Sequence, residues 1–131
     1  MRVISYFLMI FLAQVSIAST QYRVFVSFSM PEQLLQETLL DAAKHQIPVV
    51  LNGFYHDSMQ ETAVKIFELS KKVPNLSLQI DPPAFERYGI KQVPALVADN
   101  NHSFDVIFGN ITIERGLEEI NCFGDTSKVR S

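Results

Sequence analysis

The chain carries a single cysteine, Cys122, and three histidines, His45, His56 and His102, so few side chains are available for chemistry. One thiol closes no internal disulfide, and without a second cysteine there is no Cys-x-x-Cys couple for disulfide exchange. Cys122 follows Glu118, Glu119 and Asn121 at the end of a helical stretch, the negative end of the helix dipole, which disfavours a thiolate. It reads as a small packed hydrophobe, with an intermolecular disulfide as the alternative that an odd cysteine invites. The histidines stand at element ends with no i, i+4 partner and no cysteine nearby. Zinc needs ligands that converge, so these are read as solvated loop residues. Asp81 and Glu86 could be paired as acid and base, yet no nucleophile accompanies them. Asp81 before Pro82-Pro83 is better explained as a helix N-cap. Asn75-Leu76-Ser77, Asn101-His102-Ser103 and Asn110-Ile111-Thr112 match the glycosylation pattern but read more simply as turn and cap residues. No catalytic, cofactor-binding or metal-binding residue is expected.

The elements around these residues alternate between strand and helix. Tyr22–Phe28 is apolar, β-branched and aromatic, as a central strand buried on both faces should be. Ser29-Met30-Pro31-Glu32 follows, a Ser-x-x-Glu capping box with Pro31 inside the first turn. Leu34, Leu35, Thr38, Leu39 and Ala42 then make a helical stripe running to Lys44. Pro48–Phe54 reads as a second buried strand. Ser58 and Glu61 form another capping box, and Ala63, Ile66, Phe67 and Ser70 are taken as the inner face of a second helix. Leu76–Asp81 alternates as a third strand, and a short helix from Asp81 ends at Gly89. Ala95–Asp99 and Phe104–Phe108 flank a four-residue connection suited to a hairpin. Thr112–Asn121 is the last helix, with Ile113, Leu117 and Ile120 inward. Strands alternating with helices imply parallel pairing, and the terminal hairpin makes the sheet mixed. The fold class is therefore an α/β sandwich.

Met1–Ala18 reads as a secretory signal peptide. It has Arg2, an apolar run from Ile4 to Ala13 and the small-x-small site Ser16-Ile17-Ala18, so cleavage is expected between Ala18 and Ser19. That run is shorter than the roughly 20 residues a bilayer needs, so no stable membrane insertion is expected after cleavage. Residues 19–123 suit one domain with a single core, and 124–131 reads as a flexible polar tail. The chain has 11 basic and 14 acidic residues, a net charge of −3 that becomes −4 without Arg2. Only Lys71 and Lys72 are adjacent among its basic residues, so it lacks the charge footprint of a nucleic-acid binder.

Two resemblances follow from particular residues. Tyr88-Gly89-Ile90-Lys91-Gln92-Val93-Pro94-Ala95-Leu96, together with the element order, resembles the cis-proline segment of thioredoxins. A redox member would carry Cys-x-x-Cys just after the first strand, where this chain has Ser29-Met30-Pro31. More specifically, Val24–Pro31, Pro48–Phe54, Ile80-Asp81-Pro82 with Phe85 and Tyr88, and Val93-Pro94-Ala95 look like the TrbC family. These are pilin-assembly proteins of F-type conjugative type IV secretion systems. That resemblance implies a thioredoxin-like three-layer sandwich, a mixed five-stranded sheet flanked by helices with a cis-proline loop at Pro94. It implies a non-enzymatic periplasmic assembly factor, with a separate TraW-type protein and other secretion components as partners. By analogy with the cis-proline loop of thioredoxin-like proteins, Ser29, Met30, Pro31, Val93 and Pro94 are expected to form one partner-binding surface, beside which an extended peptide can add. Met30 is open to two readings, an adaptable contact residue or a filler of the core edge. The alternative function is a degenerate thiol oxidoreductase or chaperone-isomerase that uses Cys122 alone.

Overall fold

The computed structural model describes residues 19–128. The expected signal segment Met1–Ala18, the residue before its cleavage site, and the last three residues of the tail lie outside the described residues. Five strands form one sheet in the order β3-β2-β1-β4-β5. They are β1 (Gln21–Val26), β2 (Val49–Leu51), β3 (Leu78–Ile80), β4 (Ala95–Asp99) and β5 (Phe104–Phe108). The helices are α1 (Glu32–Lys44), α2 (Met59–Lys72), α3 (Pro82–Arg87), α4 (Ile113–Phe123) and the single turn α5 (Asp125–Lys128). β1, β2 and β3 pair in parallel through the crossovers α1 and α2, whereas β4 runs antiparallel to β1 and β5 antiparallel to β4. The sheet is thus mixed, as expected.

Consecutive residues of the central strands feed two separate cores. Val24 and Val26 of β1 and Leu96 and Ala98 of β4 pack with Leu35, Leu39, Leu69, Ile113 and Ile120. Phe25, Val50, Ala95 and Val97 pack on the other face with Ala84, Phe85 and Tyr88. Phe25 has no solvent exposure and meets Phe85 edge-on at 4.9 Å and Tyr88 at 5.8 Å, the arrangement that ring quadrupoles favour. The layers are therefore α1, α2 and α4, then the sheet, then α3. Gly116 lets α4 lie close on β4, because a Cβ there would sit 2.8 Å from Leu96 Cδ2.

Several elements differ from expectation for identifiable reasons. α1 starts at Pro31 as N-cap, with ψ at 135° and no side-chain cap, so the Ser29 box does not form. α1 ends with Gln46 in the left-handed region, Gln46 N–H donating to Ala43 O and Ile47 N–H to Ala42 O, a Schellman end with glutamine where glycine is usual. At α2 the Ser58 hydroxyl does accept Glu61 N–H, but the Glu61 carboxylate turns to His56 instead of closing the box. The inner face of α2 is Thr62, Ile66, Leu69 and Val73, not Ala63, Ile66, Phe67 and Ser70. Thr62 Oγ1 donates to Ser58 O at 2.6 Å and accepts Tyr55 N–H at 2.7 Å. These two hydrogen bonds hold Thr62 inward, and Val64 and Phe67 face out.

The expected tail begins with the helical turn α5, Asp125–Lys128. Asp105 on β5 accepts Asp125 N–H at 2.8 Å and Thr126 N–H at 2.9 Å, with the Thr126 hydroxyl at 2.6 Å. Thr126 is buried. The Asp105 carboxylate thus caps this turn, accepting the N–H groups left without helical partners at its start.

Two variants test this packing. Phe25→Ala removes a ring from the α3-side core and is expected to cost about 3–5 kcal/mol in urea unfolding. A loss under about 1 kcal/mol would place β1 at the surface. Asp105→Ala should leave the domain folded but speed amide exchange at Asp125 and Thr126 to the rate of an unanchored terminus, read by NMR.

Candidate functional site

Four loops meet at one end of the sheet. β1 and β2 are parallel, so 27–31 and 52–58 leave from the same end. β4 enters antiparallel with Ala95 beside Phe25, which brings Pro94 next to the end of β1. β5 leaves toward the same end through 109–112, where Gly109 N–H donates to Pro94 O at 3.1 Å. In α/β sheets, ligand sites gather where parallel strands end and the topology changes.

The loop after β1 folds back on itself. Met30 N–H donates to Ser27 O at 3.2 Å, and Ser27 N–H points to Met30 Sδ at 3.5 Å. Ser29 N–H donates to Ser27 Oγ at 3.2 Å, and the two hydroxyls lie 2.9 Å apart. The turn drives Met30 into the core, leaving it 8% exposed. Of the expected surface, Ser29 and Pro31 are exposed, Val93 is half-buried, and Met30 and Pro94 are buried. Met30 is therefore a core filler, and a Met30→Asp change would bury a charge instead of blocking a surface. The Val93–Pro94 peptide is cis.

Two concavities flank this turn. On the β5 side a cleft of about 280 Å³ runs between α1 and the 109–112 loop, lined by Leu34, Thr38, Asp41, Pro94, Ile107 and Ile111 among others. Asp41 Oδ2 accepts Ile113 N–H at 2.8 Å. It thus joins Thr112, whose hydroxyl accepts Arg115 N–H, in capping α4 and ties α1 to α4 across the cleft. In the sequence, the only sign of this role for Asp41 is its place one residue before Ala42, on the flank of an apolar helix stripe. On the β2 side Ser27, Ser29, Asn52, His56 and Asp57 line a polar crevice. His56 stacks on Tyr55 at 3.8 Å and its Nδ1 lies 2.7 Å from Glu61. Both His56 and Asp57 have positive φ.

A carboxylate-bound histidine beside two serines is the start of a nucleophile–base arrangement. Among the described residues, however, no hydrogen bond joins either serine to His56; the hydroxyls bond each other. His45 is not a solvated loop residue either, since it caps α1 with Nδ1 2.9 Å from Asp41 O. Cys122 is exposed, not packed. It sits near the end of α4, which runs from the 109–112 loop back to Asp105, so the thiol lies at the opposite end of the sheet from the four loops. Among the described residues no group of three or more His, Cys, Asp and Glu could hold a metal ion, and no helix is long and apolar enough to cross a membrane.

On the α3 face, Tyr88 Oη donates to Asp99 Oδ2 at 2.5 Å. Burial, then the bond to Asp99 and its charge, raise the Tyr88 pKa above its ordinary value. For Asp99 burial pushes upward, but the Tyr88 hydroxyl, Asn101 N–H, Arg23 and Arg87 outweigh it and hold the carboxyl below its ordinary value.

This architecture is shared with solved structures. MTB dsbF superposes with a TM-score of 0.54 at 16% identity, over 81% of each chain. The exposed lipoprotein thioredoxin Etrx1 of Streptococcus pneumoniae gives 0.53 at 18% identity, over 79% of this chain and 86% of that one. The fold is thus thioredoxin-like. In sequence, residues 24–127 match the family described as the type-F conjugative transfer system pilin assembly protein. The chain belongs to that family. It is 37% identical over 105 residues to the periplasmic protein TrbC of Escherichia coli (strain K12), covering 80% of this chain and 50% of that protein. The chain therefore spans about half the length of this curated relative.

The Tyr88–Asp99 pair gives a signed pH dependence. Asp99, with its folded pKa lowered, contributes stability that is present above the ordinary carboxylate value of about 4 and lost as pH falls through the folded value. Tyr88, with its folded pKa raised, contributes stability present below about pH 10 and lost as pH rises through its folded value. Tyr88→Phe should cost about 1 kcal/mol at neutral pH. The difference from wild type should shrink in acid as Asp99 protonates, measured by urea unfolding across pH.

Proposed function

We propose that this chain is a non-enzymatic periplasmic assembly factor for an F-type conjugative pilus, working by protein–protein binding with a TraW-type partner and other secretion components. Family membership supports a role in conjugative transfer and pilin assembly, and the relative's name supports the periplasm. The observation that carries the binding reading is the separation of scaffold from thiol. The sheet end where a thioredoxin acts holds Ser27, Ser29 and a buried Met30, while Cys122 lies at the far end of α4. What that end does offer is contact surface: the exposed Ser29 and Pro31, the polar crevice toward Phe54 and His56, and the largely apolar cleft beside Pro94. The thiol-based alternative keeps one point in its favour, the exposure of Cys122.

The proposed surface can be altered without touching the core. Ser29→Arg and Phe54→Arg place bulk and charge on exposed positions of adjacent loops, so melting temperatures should stay close to wild type. Co-purification with a TraW-type protein should fall at least tenfold. Retained binding in both variants would remove this end of the sheet as the contact surface.

A further inference from the structure

The sheet ends at β5, and the bonding parity of its ladder fixes where the outer backbone points. Gly109 N–H donates to Pro94 O at 3.1 Å, and Asn100 N–H donates to Ser103 O at 3.2 Å. Bonded and unbonded pairs alternate in an antiparallel ladder, so the registered pairs Leu96–Ile107 and Ala98–Asp105 carry the bonds between them. The N–H and C=O groups of Phe104, Val106 and Phe108 therefore point away from β4. No described strand pairs with that edge. Their side chains share the α3 face: Val106 packs against the Phe25 cluster, and Phe104 meets Tyr88 edge-on at 5.1 Å. Phe104 is 46% and Phe108 42% exposed.

Such an edge is a template for pairing, and soluble proteins usually blunt theirs with lysine, proline, a bulge, an inward-pointing charge, a covering helix or short length. β5 has no lysine, proline or bulge over its five residues, Phe-Asp-Val-Ile-Phe. Its one charge, Asp105, faces the other side of the sheet and is engaged by α5. The opposite edge, β3, is only three residues long.

We propose that β5 is a self-association edge, at which a second copy of this chain pairs antiparallel about a two-fold axis through Val106. The strand is complementary to its own reverse. Its outward-bonding positions read Phe-x-Val-x-Phe in either direction, so the axis sets Phe104 against Phe108 of the second copy, twice, and Val106 against itself. Each of these pairs can exchange both backbone bonds, and the facing rings cover one another across the strands. Asp105 then stands opposite Ile107 of the second copy, so like charges do not meet. The contact is isologous and stops at a dimer. Because the strands run in opposite directions, the four-loop surface appears once at each end of the joined sheet.

Sedimentation of the full chain across a dilution series tests this. A concentration-dependent dimer is expected, reduced to monomer in Phe104→Lys/Phe108→Lys. In a Cys122→Ser background, Val106→Cys should cross-link to itself on mild oxidation, since bonded pairs lie about 5.5 Å apart at Cα, within disulfide reach. Ile107→Cys, off the axis, should not. A monomer at every concentration with no Val106→Cys cross-link would overturn the proposal. So would a dimer that survives both lysines, or an edge filled only by a strand from another protein.

Discussion

The fold depends on one constraint: β1 must be buried on both faces at once. Val24, Phe25 and Val26 are consecutive and each is at most 2% exposed, yet alternate side chains of a strand point in opposite directions. Helices must then cover both sides of the sheet, and two distinct cores result. The neighbours β2 and β4 inherit the same demand, which is why Val49-Val50-Leu51 and Ala95–Ala98 show no polar alternation. Once β1 is central, its end becomes the place where four loops converge and the candidate surface is built.

At that end the local chemistry differs from that of a redox site. A thioredoxin-type enzyme needs a thiolate at the N-terminus of the helix after the first strand, stabilised by the helix dipole. Here Pro31 caps α1, the serine hydroxyls satisfy each other, and Met30 Sδ is drawn back toward Ser27 N–H. The loop is closed by its own bonds. Its exposed side chains, Ser29 and Pro31, and the concavities on either side are suited to contact. On the opposite face of the domain's first core, α2 turns Met59, Val64 and Phe67 outward, so exposed apolar area is not confined to the loop end or to β5.

Much of this was legible in the sequence because it rests on local patterns. The hairpin Ala95–Asp99 and Phe104–Phe108 has the expected bounds, Asp81 caps α3 through Ala84 N–H, and Thr112 caps α4. What was not legible depended on contacts between distant or differently oriented groups. α2 carries apolar residues all round, so periodicity alone could not say which side faced in. The choice was made by Thr62 bonding to the Tyr55–Ser58 turn. Asp105 capping α5 and Asp41 capping α4 join residues far apart in the chain, and no window of sequence contains both ends. Met30 shows the same limit: its type fits a surface or a core, and the four-residue turn from Ser27 to Met30 decided between them.

The central claim is that this thioredoxin-like domain works through its surface and needs no thiol. The most direct test is Cys122→Ser in the native chain, scored by pilus assembly and conjugative transfer from a donor that depends on it. Because Cys122 is exposed, the change should leave the melting temperature where it is, so any effect reports on the thiol itself. Transfer at the wild-type level is the expected result. Transfer lost in a fully folded Cys122→Ser protein would contradict the account and make the thiol the functional group.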